Sequence, residues 1–361
     1  MRSDNGTIVR LVEQFSLFVK EHLRILRVRR KVRPIYFSCS INYEGEIRMK
    51  KFLKVTGIVL LSLVMLIVVF LFGVKIWNHI AMNNEKELLQ NHPGVSVEVD
   101  GRNMNIYTEG EGDHTIVFMS GWKVTSPIYE YKPLYSKLSS DFKCVVIEKF
   151  GYGFSDDFDG PRDFDTLVRQ DREALKKAGI EGPYVLCAHS LSGFEAELWA
   201  QKYPEEVEAV IGLDMCVGGC YDPVEDTQSS KSQNKIDKVA SFFGANRFLM
   251  SISEFEGLSD EDIKLYIAVS CKSHGNNTVA RECEGIVDVF DEISKDPLPS
   301  VPTIQYISGT NKDKALWVDS HKEIVNASVN GKYVQLECGH YVHNYESERI
   351  AKDIKELLKA N

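Results

Sequence analysis

Hydrophobic positions in this chain follow three different patterns. From Val55 to Val74, twenty consecutive residues carry no charge and are mostly Val, Leu, Ile and Phe, with almost no polar face. As a helix that run extends about 30 Å, the thickness of a bilayer's hydrocarbon core. From residue 93 onward, short apolar runs alternate with stretches of helical spacing. Between 217 and 297 the alternation lapses into turns and helices.

The short runs predict strands at Val95–Val99 and Asn103–Thr108, joined by a tight turn at Asp100-Gly101, and at Thr115–Met119 and Lys143–Glu148. Four more follow: Tyr184–His189, Val207–Leu213, Thr303–Ser308 and Lys332–Glu337. Helical spacing predicts helices at Asp165–Ala178, from Ser190 to Pro204 with Phe194, Leu198 and Trp199 inward, and at Glu346–Leu358. Strands alternating with helices imply a mainly parallel sheet covered on both faces. The insert, 217–297, predicts helices at Ile236–Phe243, Asp260–Cys271 and Val279–Ile293, and Pro297, Pro299 and Pro302 close it.

Charge divides the chain. Residues 1–54 hold 13 Lys/Arg and 5 Asp/Glu, a net of +8; the remainder holds 30 and 47, a net of −17. The acidic part offers no clustered positive surface for nucleic acid. The domain expectation is a basic cytoplasmic segment (1–54), a transmembrane helix (55–74), a stalk (75–92) and a folded domain (93–361). Lys50, Lys51 and Lys54 place the N-terminus in the cytoplasm and the domain outside the membrane. Ile8 to Arg33 reads as an amphipathic basic helix, with Leu11, Phe15, Phe18 and Leu26 apolar. Met49-Lys50-Lys51 would by itself open a signal-anchor, so translation of 1–48 stays open.

One stretch carries chemistry: Ala188-His189-Ser190-Leu191-Ser192-Gly193, between a predicted strand and a predicted helix. A strand turning sharply into a helix lifts the serine off the sheet and requires small residues two before and two after it. Ala188 and Ser192 meet that requirement without the usual glycines.

With this elbow, Ser120-Gly121-Trp122, Gly151-Tyr152-Gly153-Phe154-Ser155, Tyr203-Pro204-Glu205 and Gly339-His340, residues 93–361 resemble the α/β-hydrolase family. The resemblance implies an α/β fold: a mainly parallel eight-stranded α/β-hydrolase sheet with a helical cap at about 217–297, here preceded by one transmembrane helix. It also implies a nucleophile, an acid and a histidine in that chain order.

Ser190 is then the nucleophile and His340 the base, because a serine hydroxyl needs an adjacent base and that base an orienting acid. His343 is the neighbour most easily confused with His340. For the acid, Asp214, ending its strand, is favoured over Asp313, which lies one residue beyond the usual Gly-x-x-Asp spacing where Lys312 stands. Backbone N–H groups of Trp122 and Leu191 would form the oxyanion hole. Epoxide hydrolases and haloalkane dehalogenases of this shape need Asp at the elbow.

The function expected is cleavage of a carboxylic ester, or a small amide or peptide, through an acyl-enzyme. An acyltransferase, or a non-catalytic ligand-binding or sensor protein on the same scaffold, are the alternatives. No phosphate loop or metal-ligand motif is present, so no cofactor is implied. The expected partners are a small-molecule substrate and the membrane, not nucleic acid. Phe242, Phe243, Phe248, Leu249, Met250 and Phe255 would line an acyl pocket or form the cap's own core. Cys216, Cys220, Cys271 and Cys283 could pair in an oxidising compartment, and zinc binding ranks low.

Overall fold

The computed structural model describes residues 43–251, 257–297 and 299–359. The amphipathic segment Ile8–Arg33 and Phe255 lie outside the described residues. The chain divides into two units, Met1–Leu66 and Ile67–Asn361.

The described part of the first unit is helical from Tyr43. This helix, α1 (Tyr43–Asn84), extends well past the apolar run at both ends. Its Arg48–Asn84 portion has mean hydropathy 3.0 in its most apolar window, long and apolar enough to cross a membrane.

In the second unit, α1 continues through residues 75–84 of the segment expected as a stalk. A short α2 (Lys86–Gln90) follows α1, and Leu88 and Leu89 lie against the domain core. Next come β1 (Val95–Val99), β2 (Arg102–Glu109), β3 (Thr115–Met119), α3 (Pro127–Tyr135), β4 (Lys143–Glu148), α4 (Phe164–Lys177) and β5 (Tyr184–His189). A 3₁₀ turn at Ser190–Ser192 leads into α5 (Gly193–Lys202), then β6 (Val207–Leu213). The insert holds α6 (Pro223–Phe243), α7 (Ala245–Ser251), α8 (Asp260–Ser273), α9 (Asn277–Ala280) and α10 (Ile286–Ile293). The chain finishes with β7 (Thr303–Ile307), α11 (Ala315–Ala327), β8 (Gly331–Gln335), α12 (Val342–Tyr345) and α13 (Ser347–Lys359).

The eight strands form one sheet in the order β1-β2-β4-β3-β5-β6-β7-β8. β1 and β2 join antiparallel, β2 also to β4, and the rest run parallel. Asp100 and Gly101 both take positive φ (49° and 74°), as a two-residue hairpin turn needs. Every residue of β3, β5 and β7 is buried, because helices cover both faces of a parallel sheet. At the edges, β1 and β8 expose alternate or most positions. One core layer centres on Phe164, Phe194 and Trp199, the other on Phe118, Tyr131, Tyr135 and Tyr306.

The cap departs from its sequence pattern. α6 begins well before Ile236, and Val279–Ile293 breaks into α9, a 3₁₀ turn at Glu282–Gly285 and α10. Phe242 and Phe248 are exposed, so neither belongs to a cap core. Cys220, Cys271 and Cys283 carry free thiols, which leaves the quartet without a disulfide.

Candidate active site

Parallel strands present their C-terminal ends at one edge of the sheet, where this architecture builds its sites. Ser190 follows β5 and Asp214 follows β6 there. His340 comes from the loop after β8.

Ser190 takes φ 54°, a left-handed conformation that non-glycine residues adopt at a cost of roughly 1–3 kcal/mol. Surrounding bonds hold it. The Ser190 carbonyl accepts from Cys216 N at 2.7 Å. Ser192, buried beneath the turn, accepts from His189 N at 3.1 Å, and its hydroxyl lies 2.8 Å from Met119 O. A hydroxyl therefore clasps β5 to β3 where the usual motif has glycine. Gly193 has no room for a side chain, since a Cβ there would meet Cys216 O at 2.0 Å.

Asp214 is fully buried, also with positive φ (49°). Its Oδ1 accepts from Ser308 N at 3.0 Å. Its Oδ2 accepts from Asn311 Nδ2 at 2.8 Å and from His340 Nδ1 at 2.6 Å. Burial alone would raise this carboxyl, but the bonds from His340 and Ser308 outweigh it and hold the pKa below the usual aspartate value. An ionised carboxylate only accepts, so His340 donates from Nδ1, and in its neutral form the acceptor nitrogen is Nε2.

The structure thus brings Asp214 to His340. Asp313 is exposed and bonded to neither. The His340 side chain is 31% exposed, whereas His343 is fully buried with Nε2 3.5 Å from Glu130 Oε1. Between elbow and loop stands His189, whose ring lies 4.7 Å from that of His340, centroid to centroid. Its Nε2 donates to His340 O at 3.3 Å. Burial and the nearby His343 and His340 push its pKa well below the histidine range, so it props the loop as a neutral group. Among the described residues no hydrogen bond joins the Ser190 hydroxyl to His340, a contact commonly loose before substrate binds.

Gly121 brings the loop after β3 against the elbow: a Cβ there would lie 2.8 Å from both His189 O and Ser190 Cβ. The next residue is Trp122, whose N–H is thus one residue from that close approach. The Leu191 N–H opens a helix, where the first donors have no intrahelical acceptor. The Trp122 indole is tied to the cap, donating to Val279 O at 2.9 Å. Lys123 lies 3.8 Å over that indole and pairs with Asp237 of α6.

A buried charge cluster also joins cap to sheet. Glu282 accepts from Tyr152 OH at 2.5 Å, pairs with Arg162, and stands 3.7 Å from Lys149, which bonds Glu195 at 2.6 Å. Burial alone would lower the Lys149 ammonium, but Glu195 and Glu282 hold it charged. Among the described residues no group of three or more His, Cys, Asp or Glu is placed to hold a metal ion. A cleft of about 700 Å³ lined by Arg169, Arg172, Lys176 and Glu206 opens at the far end of β5, beside Tyr184.

Sequence reasoning missed Asn311, Ser192 and the prop from His189. Asn311 immediately precedes the Lys312 position where an acid is usual, and that displaced polar residue was the available signal.

No family model matches the chain. It is 33% identical over 326 residues to the uncharacterized protein YbdG of Bacillus subtilis (strain 168), covering 86% of this chain and 99% of that one. A shorter match, 32% over 104 residues, is to the pimeloyl-(acyl-carrier protein) methyl ester esterase of Aliivibrio salmonicida, covering 29% of this chain and 36% of that one. In fold it is similar to the crystal structure of the Cif epoxide hydrolase from Acinetobacter nosocomialis, with TM-score 0.60 and 13% identity over 79% of this chain and 96% of that one.

Proposed function

The chain belongs to the α/β-hydrolase family, and from that premise we propose that it is a membrane-anchored serine hydrolase cleaving a carboxylic ester or small amide. The observation that carries the proposal is the 2.6 Å bond from His340 Nδ1 to a buried, ionised Asp214, set beside a serine held at positive φ on the strand-to-helix turn.

In this reading His340 Nε2 takes the Ser190 proton as Oγ attacks the substrate carbonyl carbon. The carbonyl π electrons move onto oxygen, and the N–H groups of Trp122 and Leu191 receive that charge. The tetrahedral species collapses with expulsion of the alcohol or amine, which leaves carrying the proton from His340. Water then repeats the sequence on the acyl-enzyme, His340 again removing and returning one proton, and releases the acid. Asp214 keeps its charge throughout and stabilises the imidazolium. The serine distinguishes this chemistry from an epoxide hydrolase's, which needs an elbow aspartate, and the likeness to that structure concerns fold alone. Anchorage is supported by the length and hydropathy of α1. The lysines before the apolar run favour a cytoplasmic N-terminus and a domain on the other side.

The test uses the full chain in detergent or nanodiscs, with a fluorophosphonate probe and p-nitrophenyl esters of graded acyl length. Labelling and turnover are expected, both lost in Ser190→Ala. A folded protein that neither labels nor turns over these esters would refute the proposal.

A further inference from the structure

α6 has two unlike faces. One is committed to the domain: Asp237 pairs with Lys123, Asn234 Nδ2 donates to Ala280 O at 2.8 Å, and Ser241 Oγ donates to His274 O at 2.9 Å. The other carries Ile236, Val239 and Phe242 at intervals of three, 61%, 60% and 60% exposed. Lys235 and Lys238, also exposed, lie beside them. A stripe of large apolar side chains left uncovered by the chain marks a surface made to be covered, and flanking lysines suit a lipid headgroup layer.

The contacts of the same cap elements within this unit fix its level along α1. The Phe248 ring of α7 meets Phe70 of α1 edge to face, centroids 5.6 Å apart. Lys75 Nζ lies 3.3 Å over the Phe242 ring. Arg247, almost fully buried, donates to both carboxylate oxygens of Glu85 at 2.7 and 2.6 Å and to Asn78 Oδ1 at 2.8 Å. Gly244 permits that approach, since a Cβ there would meet Asn78 Cβ at 2.6 Å.

These partners form a depth scale along α1. Phe70 lies inside the uncharged run, Lys75 ends it, and Asn78 and Glu85 lie beyond it. At 1.5 Å per residue, Phe70 is about 7 Å deeper than Lys75. α7 and the end of α6 therefore straddle the level at which hydrocarbon gives way to headgroups.

We propose that the outer face of α6, with Phe248 of α7, is embedded in the interfacial layer of the bilayer that α1 crosses. Ile236, Val239 and Phe242 meet acyl chains, while Lys235 and Lys238 reach headgroup phosphates. The inference rests on the anchor reading above and goes beyond it by assigning the cap its own membrane contact.

Photocrosslinking separates the two. p-Benzoylphenylalanine replaces, one at a time, Val239, Phe242, Leu63 within the apolar run, and Val329, exposed at the opposite edge of the sheet. The full chain is reconstituted in vesicles of phosphatidylcholine and phosphatidylglycerol, irradiated, and read by mass spectrometry. Lipid-mass adducts are expected at 63, 239 and 242, with none at 329. Adducts at 63 alone would overturn the cap contact and leave the anchor standing; none at 63 would overturn both. Chain-to-chain adducts at 239 or 242 would show a second copy on the face, and adducts at 329 matching those at 242 would show no selectivity. Either result overturns the proposal.

Discussion

Replacing Asp214 by asparagine tests the site through one fixed donor. The carboxylate now accepts three bonds: Ser308 N–H on Oδ1, and Asn311 Nδ2 and His340 Nδ1 on Oδ2. An amide offers one oxygen and one NH₂ in the same space. The Ser308 N–H cannot turn, so the amide oxygen must face it and the NH₂ must face Asn311 and His340. Asn311 can flip its own amide. His340 can accept only by moving its proton to Nε2, and the group that should take the Ser190 proton then already carries one. Loss of the correct tautomer in a Ser-His-Asp site costs about 10⁴-fold in kcat, close to 5 kcal/mol of transition-state stabilisation. Turnover of a p-nitrophenyl ester and the rate of fluorophosphonate labelling, both near neutral pH, measure the loss, and circular dichroism checks the fold. Asp313→Asn, at an exposed position, should change turnover by less than about twofold. If Asp313→Asn abolished activity while Asp214→Asn stayed within about tenfold of wild type, the assignment of the acid would be wrong. An Asp214→Asn/Asn311→Asp double variant should regain part of the loss, because it returns a carboxylate to the same hydrogen-bond cluster.

Three further outcomes follow from the geometry. Gly121→Ala should lower kcat about a hundredfold with a smaller effect on KM, since its Cβ would press on His189 O and Ser190 and displace the Trp122 donor; steady-state kinetics near the wild-type values would remove Trp122 from the oxyanion hole. Glu282→Gln should destabilise the fold by about 3–5 kcal/mol, because it leaves Arg162 and Lys149 facing a neutral amide in a buried cluster; an unchanged urea midpoint, with unchanged hydrogen exchange in 277–293, would show that the cap is held by something else. Acid should weaken the fold through its histidines. His189, His274 and His321 are all lowered from 6.5, each chiefly by burial. Neutral when folded and protonated when unfolded, they contribute stability that is full above that value and lost as pH falls below it, about 1.4 kcal/mol per pH unit for each fully titrating group. His189→Gln should flatten the dependence by up to one proton in urea titrations between about pH 7.5 and 5.5, and an unaltered slope would show that His189 titrates alike in both states.

The inner strands were legible because they are short, continuous apolar runs, as full burial in a parallel sheet requires, and β1 because its apolar residues alternate with polar ones; only strand ends moved, by a residue or two. The elbow could be read from the sizes of Ala188 and Ser192, though not the clasp that the Ser192 hydroxyl makes. The sequence left Asp214 and Asp313 both open, because an aspartate ending a strand reads alike whether it bonds a histidine or binds loop backbone, and Asp214 does both. Asn311 was hidden for a related reason: its importance lies in a bond to a residue on another strand. The cap was read least well. The first half of α6 is polar and lacks apolar spacing, and the aromatics near its end could not declare whether they faced inward. Only the packing on α1 decides that.

The position of Asp214 has a consequence for how such chains can diversify. If Asp214 is the acid, as proposed, the nucleophile and its partner carboxylate are both specified between residues 190 and 214, just after β5 and β6 and before the insert begins, and only the histidine waits beyond it. The segment 217–297 can then be exchanged between relatives, or grafted in the laboratory, without touching either residue. What an exchanged segment must supply is a counter-charge rather than a catalytic group. Without a carboxylate in the place of Glu282, the graft would strand Arg162 in the interior and leave Lys149 to Glu195 alone.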